Sequence, residues 1–171
     1  MSRVYSFPPI ADLNARVLIL GSMPGEASLR AGEYYAYRHN HFWRVMGTLL
    51  GFEPESPYAD RVQALQSAGV AVWDVLHSCK REGSMDANIE HATLEANDFK
   101  TFFSRHKKIT HVFFNGATAE QVYRREVLPG LNLTAIQYRR LPSTSPANAS
   151  YSFERKLAAW SVILPTLLRF S

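Results

Sequence analysis

The chain has 171 residues, which is the length of one domain and enough to bury a hydrophobic core, so we expect a single domain over residues 1–171. Its 46% hydrophobic residues exclude a disordered chain, and its single cysteine, Cys79, excludes an internal disulfide and a four-cysteine iron–sulfur cluster. The formal net charge of +4 is compatible with a polyanionic partner.

The beginning of the chain shows no targeting signal. No apolar run is long enough to cross a membrane, and residues 1–16 lack the apolar core of a signal peptide. We therefore expect a cytoplasmic protein without a membrane partner. Residues 1–16 are predicted to be a lead-in, in which Pro8 and Pro9 oppose a helix.

The first predicted strand covers residues 17–20, four consecutive apolar residues that are too few for a buried helix. A turn follows at 21–25, where two glycines and a proline allow a close backbone approach. The turn has neither the G-x-G-x-x-G pattern nor a Gly-Lys-Ser/Thr sequence, so it does not predict a nucleotide-cofactor site. Residues 34–43 then combine aromatic and polar side chains past the carboxyl end of this strand, which is typical of a pocket for a flat heterocycle. The alternative is an ordinary first unit of an α/β domain.

Apolar residues at helical spacing predict a helix over residues 40–50, which ends near Gly51. Asn40 stands at the start of this helix, where its side chain either caps the helix or faces the pocket. A second helix is predicted over residues 57–68.

A second strand is predicted over residues 69–76, and it ends at His77 and Ser78. These two polar residues are candidates for the pocket, although a lone histidine at a strand end also suits a surface or structural role. The polar residues 80–88 that follow are predicted to form a loop.

The third predicted strand covers residues 109–114, between a helix over 94–106 and a helix over 119–126. Asn115 follows this strand at its carboxyl end, the edge where ligands gather in parallel sheets. It either binds the ligand or forms the turn before Gly116.

The last predicted strand covers residues 131–141 and leads into a loop, Pro142-Ser143-Thr144-Ser145-Pro146-Ala147-Asn148-Ala149-Ser150. Hydroxyls on a loop stiffened by prolines can bind phosphate oxygens without adding charge. The alternative is a turn before the final helix, predicted over 151–170 with a break near Pro165, which Ser150 or Ser152 would cap.

Strands and helices therefore alternate along the chain, which predicts an α/β fold. We expect a three-layer sandwich around a central four-stranded, mainly parallel sheet. The loops after the first and last strands can then meet at one edge of the sheet.

The first of these loops resembles the first motif region of the uracil-DNA glycosylase superfamily. The resemblance lies in Gly-Ser-Met-Pro-Gly at 21–25, a tyrosine at 35 and Asn-x-Phe-Trp at 40–43. It implies that Tyr35 stacks on an extruded base and that the backbone amides of Ser22 and Met23 face the base edge.

The loop after the last strand resembles the second motif of the same superfamily, in the version of its hypoxanthine-DNA glycosylase branch. That motif enters the minor groove of DNA, so the resemblance implies that four hydroxyl residues bind DNA: Ser143, Thr144, Ser145 and Ser150. The Gly-Ala-Thr-Ala segment at 116–119 is also familiar from the superfamily.

Two positions depart from the uracil-specific enzymes of the superfamily, which place polar residues where this chain has Met23 and Leu141. Because neither side chain can position water, the resemblance to the hypoxanthine branch implies that Asn40 does so. The residues implied to bind the base are Gly21, Ser22, Met23, Tyr35, His77 and Asn115.

The resemblance implies a monofunctional DNA glycosylase that removes a deaminated base, chiefly hypoxanthine, in base excision repair. We expect a monomer that uses no cofactor and no metal, with damaged DNA as its partner. The alternatives are a mismatch-specific uracil-DNA glycosylase and a damage-binding module with little catalysis.

Overall fold

The computed structural model describes residues 2–167. The strands are β1 (Arg3–Tyr5), β2 (Val17–Gly21), β3 (Val70–Asp74), β4 (Leu76–Lys80), β5 (Glu95–Ala96), β6 (His111–Asn115) and β7 (Gln137–Leu141). The α-helices are α1 (Glu26–Ala31), α2 (Phe42–Leu50), α3 (Tyr58–Ser67), α4 (Phe99–Arg105), α5 (Ala117–Val122), α6 (Phe153–Trp160) and α7 (Ile163–Leu167). None of the helices within residues 2–167 is long and apolar enough to cross a membrane.

The central sheet has four strands in the order β3-β2-β6-β7, and every neighbouring pair is parallel. Its strand residues alternate between two hydrophobic clusters. Val17 and Ile19 face α2, α3, α6 and α7, whereas Leu18 and Leu20 face α4 and α5. Because helices cover both faces, the strands can be continuous apolar runs. The predicted α/β class with a four-stranded central sheet is confirmed.

A second sheet of three antiparallel strands, in the order β1-β4-β5, was absent from the sequence prediction. The strand predicted over 69–76 is in fact divided, because β3 ends at Asp74 and the chain enters the second sheet at Leu76. The strands of this sheet have two to five residues and mixed polarity, so they carry no clear period-two pattern.

Two elements begin later in the chain than predicted, and the structure shows why. Helix α4 begins at Phe99 and not at 94, because the Asp98 side chain caps it by accepting a hydrogen bond from the Thr101 N–H at 3.1 Å. Strand β7 begins at Gln137 and not at 131, because Gln137 pairs with His111, the first residue of β6.

The helical segment after the last loop is also divided. Ser152 caps α6 by accepting a hydrogen bond from the Arg155 N–H at 3.2 Å, as the sequence allowed. The helix stops at Trp160, before the break predicted near Pro165, and resumes as α7. Residues 168–170 of the predicted helix lie outside the described residues.

The carboxyl ends of the four parallel strands lie side by side and define the edge where the site is built. Gly21 at the end of β2 is paired in register with Asp74 at the end of β3. Asn115 at the end of β6 is paired with Leu141 at the end of β7. The loops predicted to meet at one edge of the sheet therefore do so.

Candidate active site at the carboxyl edge of the sheet

The turn after β2 presents free backbone donors. The N–H groups of Ser22 and Met23 donate to no other residue among 2–167, whereas the Ser22 hydroxyl donates to Asp86 Oδ1 at 2.6 Å. The Met23 side chain is only 7% exposed and packs in the core. The unused donor of Met23 is therefore its backbone amide, whereas its side chain belongs to the core.

Tyr35 is held in an uncommon conformation beside this turn. Its φ of 54° lies in the left-handed region, which aromatic residues rarely adopt. One face of its ring stacks on Phe42, with ring centroids 4.1 Å apart, so only the opposite face is left for a base. Its hydroxyl points at Gly21, where an added Cβ would stand 2.8 Å from the hydroxyl oxygen.

Asn40 lies one residue before His41, the N-cap of α2, and its side chain still satisfies a backbone donor of the first turn. Its Oδ1 accepts a hydrogen bond from the Phe42 N–H at 2.9 Å, at the start of α2. Its Nδ2 donates to no residue among 2–167, and Oδ1 retains a second lone pair. The side chain is therefore fixed at one end and free to hold a water molecule.

The two predicted loops are tied together directly. The His41 N–H donates to the Thr144 carbonyl oxygen at 3.0 Å. Asn115 joins them from β6, because its Oδ1 accepts from the Thr144 N–H at 2.9 Å and its Nδ2 donates to the Thr144 Oγ1 at 3.0 Å. At Gly116 an added Cβ would meet the Ser143 Cβ at 3.1 Å, which shows how closely the second loop approaches β6.

We call the group of His41, Asn115, Thr144, Ser145 and Lys156 the loop clamp. Lys156 on α6 completes it, because its Nζ lies 3.2 Å from the Ser145 carbonyl oxygen and 3.3 Å from His41 Nδ1. Both polar atoms of Asn115 are engaged within this clamp, so binding of a base by Asn115 would use its remaining N–H and lone pair.

The hydroxyl residues of the second loop differ in exposure. Ser143, Ser145 and Ser150 are partly or fully exposed, whereas Thr144 is 0% exposed and its hydroxyl faces Asn115 instead of solvent. The Ser143 hydroxyl accepts from the Ser145 N–H at 3.1 Å, and the Ser145 hydroxyl from the Ala147 N–H at 3.1 Å. These local bonds stiffen the loop.

His77 is not brought to this edge. It lies in β4, its ring contacts Tyr5, and it lines a separate groove with Trp73 and Phe102. Its neighbour Ser78 is fully buried, and the Ser78 hydroxyl donates to Glu95 Oε1 at 2.6 Å. Both residues therefore lie in the second sheet, where they contact β1 and β5.

Sequence reasoning missed three charged residues beside the turn: Asp74, Arg81 and Asp86. With Gly21 and Tyr35 they form what we call the glycine corner. A Cβ added at Gly21 would stand 2.5 Å from Asp74 Oδ1, so the carboxyl group and the Tyr35 hydroxyl share the space that the glycine leaves. The sequence does contain a signal that could have revealed them: a carboxylate ends an otherwise apolar strand, and the loop that follows carries both positive and negative side chains.

The glycine corner contains polar atoms that the protein does not satisfy. Tyr35 Oη, Asp74 Oδ2 and Arg81 Nη1 are buried without a hydrogen-bond partner among residues 2–167. Burial, with Asp86 adding to it and Arg81 opposing it, raises the pKa of Asp74 from 3.8 to about 7. Burial and Asp74 also raise the pKa of Tyr35, against a smaller lowering by Asn115. Such unsatisfied buried groups are uncommon, and together with the raised pKa of Asp74 they make this corner a candidate functional site.

No group of three or more metal-ligating side chains occurs within residues 2–167. The edge therefore offers backbone amides, neutral hydrogen-bonding side chains and one perturbed carboxyl group. Such an arrangement can hold a flat polar ring, donate to an oxygen or nitrogen that gains negative charge, and orient a water molecule.

Comparisons with known proteins identify the family of this chain. The family model of the uracil DNA glycosylase superfamily matches residues 8–167. A hypoxanthine DNA glycosylase of Methanosarcina barkeri is 34% identical over 156 residues, which cover 91% of this chain and 94% of the relative. A hypoxanthine DNA glycosylase of Methanosarcina acetivorans is 33% identical over 158 residues, which cover 92% and 95%.

A solved structure is also similar. The solution NMR structure of a protein from Methanosarcina acetivorans, assigned provisionally as a uracil DNA glycosylase, superposes with a TM-score of 0.82 at 31% identity. The match covers 98% of this chain and 100% of that one. By sequence, by fold and by the order of its two loops, this chain belongs to the uracil DNA glycosylase superfamily.

Proposed function

We propose that the protein is a monofunctional DNA glycosylase that removes hypoxanthine from deoxyinosine in base excision repair. The observation that carries this proposal is Asn40, which is fixed by its Oδ1 between the two loops and keeps an unused Nδ2 donor. Support for hypoxanthine comes from the two relatives of that name, which are 33–34% identical to this chain.

The base would lie against the open face of Tyr35, with its polar edge toward the turn amides and the glycine corner. Hypoxanthine, xanthine and uracil all carry adjacent N–H and C=O groups on that edge, which suits a corner with both unsatisfied donors and unsatisfied acceptors. As the C–N bond breaks, negative charge develops on the base. The N–H groups of Ser22 and Met23 are suited to stabilise it.

Asn40 would act on the other side of the broken bond. Its Nδ2 can donate to one lone pair of a water molecule and leave the other lone pair directed at C1′ of the sugar. An amide does not act as a base near neutral pH, so this role suits a reaction in which departure of the base precedes attack by water. The partly exposed hydroxyls at 143 and 145 and the exposed one at 150 would hold the phosphate backbone.

The test is single-turnover base release from duplexes that contain one deoxyinosine, deoxyxanthosine or deoxyuridine. We expect the fastest release of hypoxanthine, and Asn40→Ala should slow it by roughly 100-fold or more, the usual scale for a positioned polar group. Faster release of uracil would favour the mismatch-specific alternative. Tight binding to an abasic-site analogue without release of any base would favour a damage-binding module.

Asn40→Ser separates catalysis from the local hydrogen bond, because a serine hydroxyl can also accept from the N–H two residues on but has no amide. We expect Asn40→Ser to be as slow as Asn40→Ala but about 1 kcal/mol more stable to urea unfolding. Wild-type rates for either variant would reject the role of Asn40. No borohydride-trapped adduct is expected, since a monofunctional enzyme forms no Schiff base.

A further inference from the structure

Lys156 is a buried cation that no part of the proposed mechanism uses. The residue is only 1% exposed, and burial lowers the pKa of its amine from the ordinary value. Its Nζ lies within 3.3 Å of two acceptors, the Ser145 carbonyl oxygen on the second loop and His41 Nδ1 beside the first. A buried ammonium group needs hydrogen-bond acceptors, but a second carbonyl oxygen would satisfy it as well as an imidazole nitrogen. Burial of Lys156 therefore does not explain why one acceptor is a histidine.

The contact with Lys156 determines which nitrogen of His41 carries the proton. An ammonium group has only donors, so His41 Nδ1 must accept, and the proton of the neutral ring then lies on Nε2. Burial, Lys156 and Arg44 lower the pKa of His41, while Glu154 raises it. The ring is therefore neutral at neutral pH, with its remaining N–H on the side away from Lys156.

The Nε2–H of His41 has no acceptor among residues 2–167, and because the residue is partly exposed, an acceptor outside the protein can reach it. It lies next to Asn40 in sequence, and its backbone N–H holds the second loop through Thr144. Its ring packs edge-on against Phe153, with centroids 5.5 Å apart, so it cannot turn freely. A fixed donor without a partner thus lies between the two loops.

We propose that His41 is a DNA-binding residue that donates its Nε2–H to a phosphate oxygen beside the extruded nucleotide, and that Lys156 is the positioning residue that fixes this tautomer. In this series of hydrogen bonds, the buried Lys156 ammonium polarises the His41 imidazole, which in turn donates to the phosphate at the protein surface. Each hydrogen bond in such a chain polarises the next, so the phosphate contact is charge-assisted although the imidazole is neutral. The inference rests on the proposed use of the two loops to bind DNA.

The first experiment is NMR of the histidine side-chain nitrogens in the wild type and in Lys156→Met. We expect wild-type His41 to be the neutral Nε2–H tautomer. In Lys156→Met the tautomers should mix and the pKa of His41 should rise, because a nearby positive charge is lost. An unchanged His41 tautomer and pKa in Lys156→Met would overturn the inference, and a merely structural lysine would produce that result.

The second experiment is equilibrium binding to a duplex with a tetrahydrofuran abasic-site analogue. Lys156→Met and His41→Phe should each weaken binding by about tenfold, the scale of one charge-assisted hydrogen bond. The double variant should also lose about tenfold and not about a hundredfold, because both residues act through one contact. Lys100→Met is the charge-matched control: Lys100 is exposed on α4, on the other face of the sheet, and its loss should change binding by less than about twofold.

Additive losses, or wild-type binding by His41→Phe, would overturn the proposal. His41→Phe keeps the ring that packs on Phe153, so it should fold; if Lys156→Met does not fold, Lys156→Leu, which also has no donor for His41 Nδ1, replaces it. The abasic duplex carries no base, so these results do not depend on which base is released. If no base on the panel is released but the two losses are non-additive, the proposed function fails and this inference stands.

Discussion

The loop clamp and the glycine corner lie at the same edge of one sheet, but they differ in whether their buried polar atoms have hydrogen-bond partners. In the loop clamp, Asn115 and Thr144 exchange two hydrogen bonds, and Lys156 has two acceptors. In the glycine corner, Tyr35 Oη and Asp74 Oδ2 are buried without a hydrogen-bond partner in the described part of the chain.

This difference separates the hydrogen bonds that hold the two loops together from the buried groups that the protein leaves unsatisfied. A satisfied buried network stabilises a fold, whereas each unsatisfied buried group costs stability, about 1–3 kcal/mol by mutational measurements. Proteins keep such costly groups where a water molecule, an ion or a substrate satisfies them, or where they serve catalysis. On this reasoning, changes in the clamp should lower stability, and conservative changes in the corner should raise stability and lower activity.

Asp74→Asn should have the largest effect on stability. Because its pKa is about 7 in the folded protein and near 3.8 when unfolded, the folded state binds more protons between these values, and wild-type stability falls as pH rises through this window. Asparagine cannot ionise, so the variant should be more stable than the wild type above pH 7, by on the order of 2–4 kcal/mol. The difference should shrink toward zero below about pH 4. Urea unfolding across this pH range measures it.

Asp98→Asn provides the control of opposite sign. Its hydrogen bonds with Thr101 hold the pKa of this exposed helix-capping carboxyl below its usual value. Its stabilising contribution is therefore present above the unfolded pKa and disappears as pH falls through the folded one, so Asp98→Asn should be less stable than wild type at neutral pH. A pH-independent stability difference for Asp74→Asn would contradict the assignment of a raised pKa.

Substitutions in the loop clamp should lower stability by smaller amounts. Asn115→Ala leaves the N–H and the buried hydroxyl of Thr144 without partners, which should cost about 2–3 kcal/mol of the free energy of unfolding. Thr144→Val keeps the shape and removes one bond, so it should cost about 1 kcal/mol. Urea unfolding at one pH measures both variants. Equal losses would show that the two hydrogen bonds do not act separately.

The general architecture and the two loops could be predicted because their signals are local. Apolar runs identified the central strands, and the sequences around Tyr35 and Asn40 lie within one short segment. The contact of His41 with Lys156 joins residues 115 positions apart, and no local pattern indicates it. Neither could the sequence show that Thr144 turns its hydroxyl inward, because its two serine neighbours have the same chemistry.

The charged residues beside the turn, Asp74 and Arg81, could not be predicted for a different reason. Asp74 ends an apolar strand, and Arg81 belongs to a polar stretch that reads as an exposed loop. In the structure that stretch folds back onto the turn, so Arg81 is only 4% exposed and donates through Nη2 to the Pro24 carbonyl oxygen. Burial of a polar loop is decided by tertiary packing, which periodicity does not report.

Tyr35→Phe should have the smallest effect on stability and the most informative effect on activity. The hydroxyl is buried and has no hydrogen-bond partner between residues 2 and 167, so its removal should leave the free energy of unfolding unchanged or raise it by up to about 1 kcal/mol. Phenylalanine keeps the ring that stacks on Phe42, so stacking on a base is also kept. If the base edge supplies the partner that the hydroxyl lacks, single-turnover release should slow by about tenfold. A variant that is more stable and equally fast would show that Tyr35 acts by stacking alone, and that substrate binding does not satisfy its hydroxyl.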